Sequence, residues 1–299
     1  MPAGNRPAEA NRDQADYWNS ASGKKWILFQ ETLDTVFHAV NDRLLSRADP
    51  KPGEKVLDVG CGTGATTRDF AAKVGPGGLA FGIDISQQLL DRAEERRAAD
   101  QTDHVNYLLA DAQTHSFTQN DFDLLTSRFG VMFFADPVAA FANLMSALRP
   151  GGRLSFASWS AMAENPWFKI PRNAAVALLG EPPPKPSTAP GPLAFADKDY
   201  VLDILRKAGF SDCTAEVEQV TFFFPGGVDE VASLASNIGP AARILKEFDG
   251  SPADVAEIGR RVADAFQPYA VDDGVRIPAS LNFFDAVRPP ESGPIGAKQ

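Results

Sequence analysis

The run VLDVGCGTGATT (residues 56–67) sets Gly60, Gly62 and Gly64 directly behind an apolar stretch that carries Asp58. An apolar strand running into a glycine turn brings bare backbone against a ligand, because glycine accepts positive φ and leaves no side chain in the way. Two more acids follow later apolar runs, Asp84 in GIDIS and Asp111 in ADAQ. A carboxylate accepts through two oxygens, so Asp84 suits both hydroxyls of a ribose and Asp111 suits an adenine amino group. On the glycines alone, G-x-G-x-x-G/A followed by Asp84 also fits the dinucleotide of an NAD-dependent oxidoreductase. Asp58 separates the two readings. A carboxylate there would repel a pyrophosphate and attract an α-ammonium group.

The elements that must hold these residues alternate. Apolar runs at 55–59, 79–84, 105–109, 122–127 and 153–158 read as strands, with helices expected at 63–74, 87–99 and 137–148. Ser86 can cap the second of these helices. Such alternation indicates an α/β fold, Rossmann-like and doubly wound, around a mostly parallel sheet. Ligands of such sheets bind beyond the carboxyl ends of the strands, where the glycine turn, Asp84, Asp111, residues 127–129 and Trp159 fall. Before the first strand, residues 15–49 carry apolar side chains at three- and four-residue spacing and read as one helical segment, a lid, behind a disordered stretch at 1–14. Residues 50–160 form the ligand-binding core. After it, 161–196 and 225–270 read as helical cap segments over the acceptor site, 197–224 and 271–290 as the rest of the core sheet, and 291–299 as a tail.

The chain has 299 residues, 44% hydrophobic and 23% charged, enough to bury a sizeable core. Its formal net charge of −10 disfavours a nucleic acid partner. His38, His104 and His115 lack metal-ligand spacing, so no metal is expected. Cys61 and Cys213 give no disulfide framework, and no apolar run reaches the ~18–20 residues of a membrane helix, which together point to a cytoplasmic protein. Cys61 reads as a small packing residue of the turn, not a nucleophile.

Five stretches in order, VLDVGCGTG, GIDIS, ADAQ, FDLLTSRFGVMFF and LRPGGRLSF, resemble the motifs of class I S-adenosylmethionine-dependent methyltransferases, nearest to the ubiquinone/menaquinone C-methyltransferase branch. The resemblance covers about residues 55–160. It implies a seven-stranded sheet with an antiparallel last strand, 275–287, paired with 214–224. It implies S-adenosylmethionine as cofactor and S-adenosylhomocysteine as product. By position, Gly60, Cys61, Gly62 and Gly64 line the methionine moiety, with Asp58 near its amino group and Thr67 in contact. Asp84 takes the ribose, Ile85 packs on the adenine, and Asp111 and Ala112 flank its edge. Ser127, Arg128 and Phe129 lie where the fourth strand opens on the methyl group. Arg128 is read either as a ligand of a carboxylate, from substrate or cofactor, or as a surface ion pair.

The methyl acceptor is expected to be a small hydrophobic or aromatic molecule, since the chain has 21 Phe and 4 Tyr. Tyr17 and Trp18, with Trp26, are candidates for a lid, and Trp159 and Trp167 for the acceptor pocket. The helical segment between the last two strands is longer than the quinone enzymes require, which argues against a quinone acceptor. Methyl transfer from a sulfonium is an in-line displacement that needs alignment more than acid–base help. No catalytic base is evident, though His38 could reach over from the N-terminal helix. A monomer or homodimer is expected. A module that binds the cofactor without transferring methyl groups is the alternative of a different class.

Overall fold

The computed structural model describes residues 11–291, and its N-terminal segment is not one helix. Four short helices run through it: α1 (Arg12–Trp18), α2 (Ala21–Leu28), α3 (Gln30–Val36) and α4 (His38–Ala48). Ser20 caps α2 through its side chain, and Phe29 and Phe37 break the run with φ, ψ of −99°, 13° and −90°, 5°. Both phenylalanines sit at three- to four-residue spacing, so the apolar rhythm survives the breaks and hides them. Residues 11–14, expected to be disordered, belong to this ordered region, and Asn11 is buried. The stretch 1–10 and the tail 292–299 lie outside the described residues.

The core follows the expected alternation. β1 (Lys55–Val59), α5 (Ala65–Val74), β2 (Leu79–Asp84), α6 (Gln87–Asp100), β3 (Val105–Leu109) and β4 (Phe122–Arg128) lead to α7 (Pro137–Ala147) and β5 (Leu148–Trp159). Then come α8 (Pro166–Leu179), α9 (Lys198–Lys207), β6 (Ser211–Phe224), α10 (Val228–Asn237), α11 (Pro240–Glu247), α12 (Pro252–Phe266), β7 (Ala270–Val271) and β8 (Gly274–Val287). Pro150-Gly-Gly152 does not precede the fifth strand as a separate turn. It lies inside β5, where the register against β4 shifts.

The strand order is β3-β2-β1-β4-β5-β8-β6. β1 to β5 are parallel, and β8 inserts antiparallel between β5 and β6. The expected seven strands are joined by an eighth, the two-residue β7, which pairs with the start of β8. The order reverses between β1 and β4, and it is at the carboxyl ends of strands at such a switch point, the crevice of an open α/β sheet, that ligands bind. α4 packs on β4 and β5 and touches α5, which covers β1 and β2; α7 and α9 touch one another over β5 and β6. The cap helices α8, α10, α11 and α12 pack on each other and reach β8 through α8 and α10. One apolar cluster runs from Leu33 in α3 through the sheet to Phe266 in α12, so the N-terminal helices, the sheet and the helices α8 and α10–α12 share a core.

Candidate active site

β1 delivers the chain into the glycine turn, which is pinned to β2 by the amides of Gly60 and Cys61 donating to the Ile83 carbonyl at 2.8 and 3.2 Å. Gly60 crosses the segment after β4 so closely that a Cβ on it would lie 2.6 Å from Gly130 Cα. Only a pair of glycines allows that crossing. Gly62 differs: its φ is 56°, and no atom lies within 4 Å of where its Cβ would be. Its backbone faces open space, as a ligand-cradling turn requires. The Cys61 thiol is buried, and burial raises its pKa well above the ordinary value, which keeps it protonated.

Asp58 lies opposite Gly82 of β2 and Thr126 of β4. It is 1% exposed; Oδ2 accepts from Thr67 Oγ1 at 2.7 Å, while Oδ1 has no partner. Burial pushes its pKa up to about 7. Two positions along β4 from Thr126 stands Arg128. Its guanidinium lies 5.4 Å from the centroid of the Phe37 ring and donates through Nη1 to Asn41 Oδ1 at 3.0 Å. Among the described residues it makes no ion pair, so the expectation of a surface salt bridge is not met. Burial lowers its pKa, against the pull of Asp34, Asp58 and Asp69.

Ser127 does not open on the crevice. It is fully enclosed; its hydroxyl donates to the Val59 carbonyl at 2.7 Å and accepts from the amides of Gly130 and Val131 at 3.1 and 3.3 Å. It ties the ends of β1 and β4 together beneath the turn. Thr67 is likewise enclosed and holds Asp58.

Asp84 accepts from the Gly62 amide through Oδ2 and from the Ser86 amide through Oδ1, both at 2.8 Å. These bonds fix the carboxylate in plane and leave each oxygen a lone pair. Burial raises its pKa, opposed by the backbone bonds. Asp111 accepts from the Gln113 amide at 2.9 Å and, through Oδ2, from Asn11 Nδ2 at 2.8 Å. Ala112 beside it is buried. Asn11 also accepts from the Ala135 amide at 3.0 Å, so the N-terminal segment is strapped across the third and fourth strand ends. Further along, the Trp18 carbonyl accepts from Ser86 Oγ and Gln88 Nε2 at 2.8 and 2.6 Å, and Asn19 Nδ2 donates to the Ile85 carbonyl at 3.2 Å. The Trp18 ring meets Phe133 edge-on at 5.4 Å, while Tyr17 is 44% exposed and touches Trp18 at 5.2 Å. Trp18 therefore faces the crevice more than Tyr17 does.

Phe129 has φ of 69°, unusual for a bulky residue, and this bend turns its ring onto Trp159, stacked at 4.9 Å and 13°. Phe37, Phe168 and Phe222 enclose the pair. Trp167 is elsewhere. It stacks on Phe224 at the end of β6 at 4.9 Å, with Phe266 of α12 beyond. A cavity of about 400 Å³ opens between lid and cap, with Phe29 and Thr32 on one side and Phe224, Val231 and Leu234 on the other. A smaller one of about 280 Å³, between α3 and α6, is a surface cleft lined by charged groups. His38 does not reach over the crevice: its side chain is 70% exposed and pairs with Asp42. Among the described residues no group of three or more His, Cys, Asp or Glu is placed to hold a metal, and no helix is long and apolar enough to cross a membrane.

Three side chains at the crevice carry no local sequence signal: Asn11, Asn41 and Arg96. Arg96 donates to the Thr63 carbonyl in the glycine turn at 2.8 Å and pairs with Asp34 of α3 at 2.6 Å, clamping lid to turn.

Residues 56–152 match the methyltransferase domain family. The nocamycin O-methyltransferase of Saccharothrix syringae is 35% identical over 242 residues, covering 78% of this chain and 86% of that enzyme. The chain belongs to the class I S-adenosylmethionine-dependent methyltransferases. The family's cofactor is S-adenosylmethionine. The aklanonic acid methyltransferase of a Streptomyces species, 35% identical, matches over 41% of this chain and 56% of its own length, so the chain spans little more than half of that relative. A phosphoethanolamine N-methyltransferase 2 of Haemonchus contortus, solved in complex with S-adenosyl-L-methionine, shares the methyltransferase fold at a TM-score of 0.58 and 20% identity, covering 94% of this chain and 60% of that one.

Proposed function

We propose that this chain transfers the methyl group of S-adenosylmethionine, in line, to a small apolar or aromatic molecule, leaving S-adenosylhomocysteine. The observation that carries the reading is the unpartnered, buried Oδ1 of Asp58, within the electrostatic reach of Arg128, which makes no ion pair among the described residues. A buried acceptor without a donor costs about 1–3 kcal/mol and calls for an explanation. The cofactor's amino acid end, one ammonium and one carboxylate, supplies what each lacks.

The other donors and acceptors fit the same molecule. Gly62 lets backbone approach the methionine moiety, while Gly60 and Gly64 shape the turn by allowing the close approach of Gly130 and of the Tyr107 ring, with Cys61 packing beneath. Asp84 offers its two remaining lone pairs to the ribose hydroxyls. Ile85 packs on the adenine, and Asp111 and Ala112 border its edge. Thr67 and Ser127 act through others, Thr67 by holding Asp58 and Ser127 by bracing the turn.

Bound there, the cofactor supplies an activated sulfonium methyl. The chain's part is to align the acceptor and exclude water. Phe37, Phe129 and Trp159 form an aromatic wall at the end of β4, and α1–α4 close over it. None of these three side chains titrates, so the acceptor arrives ionised or loses its proton to solvent; acidic enols and electron-poor phenols, which ionise near neutral pH, satisfy this. The names of the two relatives, nocamycin O-methyltransferase and aklanonic acid methyltransferase, support a small-molecule acceptor. The lid is 15–49 together with 11–14, and the cap is 161–196 and 225–270. We read the enzyme as cytoplasmic, acting on a free small molecule as monomer or homodimer.

Calorimetry with S-adenosylmethionine, S-adenosylhomocysteine and NAD tests the cofactor reading: the first two bind and NAD does not. A screen of phenolic and enolic acceptors with methyl-labelled cofactor tests the reaction. Cofactor binding without transfer to any acceptor class would favour the non-catalytic alternative.

A further inference from the structure

Arg128 is not oriented by the sheet that carries it. It is gripped from α4: Phe37, which precedes that helix, lies under its guanidinium at 5.4 Å, and Asn41 accepts from its Nη1 at 3.0 Å. Asn41 is 3% exposed; its amide oxygen accepts twice and its amide nitrogen donates once. Oδ1 also accepts from Thr66 Oγ1 at 3.1 Å, and Nδ2 donates to Asp69 Oδ2 at 2.6 Å. Thr66 and Asp69 belong to α5, the helix that leaves the glycine turn. One side chain thus ties the N-terminal helices, the helix behind the glycine turn and the arginine at the end of β4.

We infer that Asn41 is a positioning residue for the cofactor's carboxylate: it fixes the Arg128 fork and so makes that end of the site complete only when α4 is docked. The inference rests on the reading of Arg128 as the carboxylate's partner. A planar guanidinium binds a carboxylate through paired N–H donors only when its plane is set beforehand. Nη1 is set by the Asn41 oxygen and the face by the Phe37 ring, which leaves the remaining N–H groups to the ligand. Docking of the N-terminal helices and affinity for the amino acid end are then linked, and each strengthens the other.

The test compares two ligands, S-adenosylhomocysteine and its analogue lacking the carboxylate, by calorimetry on the full chain. The native protein prefers the first. Arg128→Ala removes that preference. Asn41→Ala reduces it about tenfold while changing the Kd of the analogue by no more than about twofold. The swap Asn41→Asp with Asp69→Asn reverses the donor and acceptor of the α4–α5 bond but sets a carboxylate against Arg128 in competition with the ligand's, so it too reduces the preference. It also serves where Asn41→Ala fails to fold. If Asn41→Ala weakens both ligands equally, or leaves the preference intact while Arg128→Ala abolishes it, Asn41 is structural only and the inference falls. If Arg128→Ala itself leaves the preference unchanged, the assignment of the carboxylate to Arg128 falls with it.

Discussion

The hydroxyl of Thr67 donates to the Asp58 carboxylate at 2.7 Å, and this single bond engages one oxygen while the other stays buried without a partner. Burial outweighs that bond and raises the Asp58 pKa from 3.8 to about 7. A carboxyl group with a raised folded-state pKa is favoured protonated. Its ionisation therefore costs stability progressively as pH rises from the unfolded value near 4 to about 7, on the order of 4 kcal/mol in total.

The first prediction follows from that sign. An ammonium group beside Asp58 favours the ionised form, so the ligand displaces a proton. Affinity for S-adenosylhomocysteine is expected to rise with pH across about 5.5–7.5. In that range the binding enthalpy shifts with the ionisation enthalpy of the buffer. Asp58→Asn weakens binding and flattens the pH dependence. A native enzyme with a flat profile and a buffer-independent enthalpy would remove Asp58 from the ammonium site.

β1 and β2 are legible in the sequence because each is a short, mostly buried apolar run ending at a glycine or an acid, while β3, an edge strand with Asn106 and Leu109 exposed, is legible from its short apolar run ahead of Asp111. The acids at their ends are legible for the same reason: the strand fixes where its next residue must be. The breaks in the N-terminal segment are not, because Phe29 and Phe37 turn the chain with ordinary side chains held by tertiary packing. Nor are the asparagines. Asn41 meets Asp69 across 28 residues and Asn11 meets Asp111 across 100, and nothing local marks either. What was invisible at the site is what closes it.

Gly130 is predicted to tolerate no side chain. A methyl group there would press on the Val59 carbonyl and lie 2.7 Å from Gly60 Cα, both backbone. Relief requires moving the glycine turn, so Gly130→Ala should cost about 1–3 kcal/mol and most of the cofactor affinity. Gly62→Ala meets no protein atom and strains only its own φ of 56°. It should cost about 1 kcal/mol of stability and yet lose affinity, since its backbone faces the ligand. Urea midpoints and calorimetry separate the two; native stability in Gly130→Ala would refute the close crossing.

Asn11→Ala is predicted to loosen the strap. It removes the donor to Asp111, which is 5% exposed, and the acceptor of the Ala135 amide. S-adenosylhomocysteine should dissociate several-fold faster, with the global urea midpoint nearly unchanged, because α1 opens without the sheet. Stopped-flow fluorescence from Trp18, which moves with α1, follows the release. An unaltered off-rate would mean that the strap does not cover the ligand.

Two buried tryptophans are predicted to behave differently. Trp159 stacks on Phe129 at the end of β4, and Trp167 stacks on Phe224 at the end of β6. Replacement of either by alanine would cost about 3–5 kcal/mol and report only on the core. Phenylalanine keeps most of the packing and changes the shape. Trp159→Phe should raise the acceptor KM or lower kcat, with affinity for S-adenosylhomocysteine unchanged, because in the proposed reading the ring borders the methyl acceptor. Trp167→Phe should lower the Tm by a few degrees and leave both constants alone, because its neighbours are the buried Phe224 of β6 and Phe266 of α12. Equal kinetic effects at the two positions would move the acceptor from the end of β4 into the cap, and the cavity beside Phe224 and Leu234 would become its site.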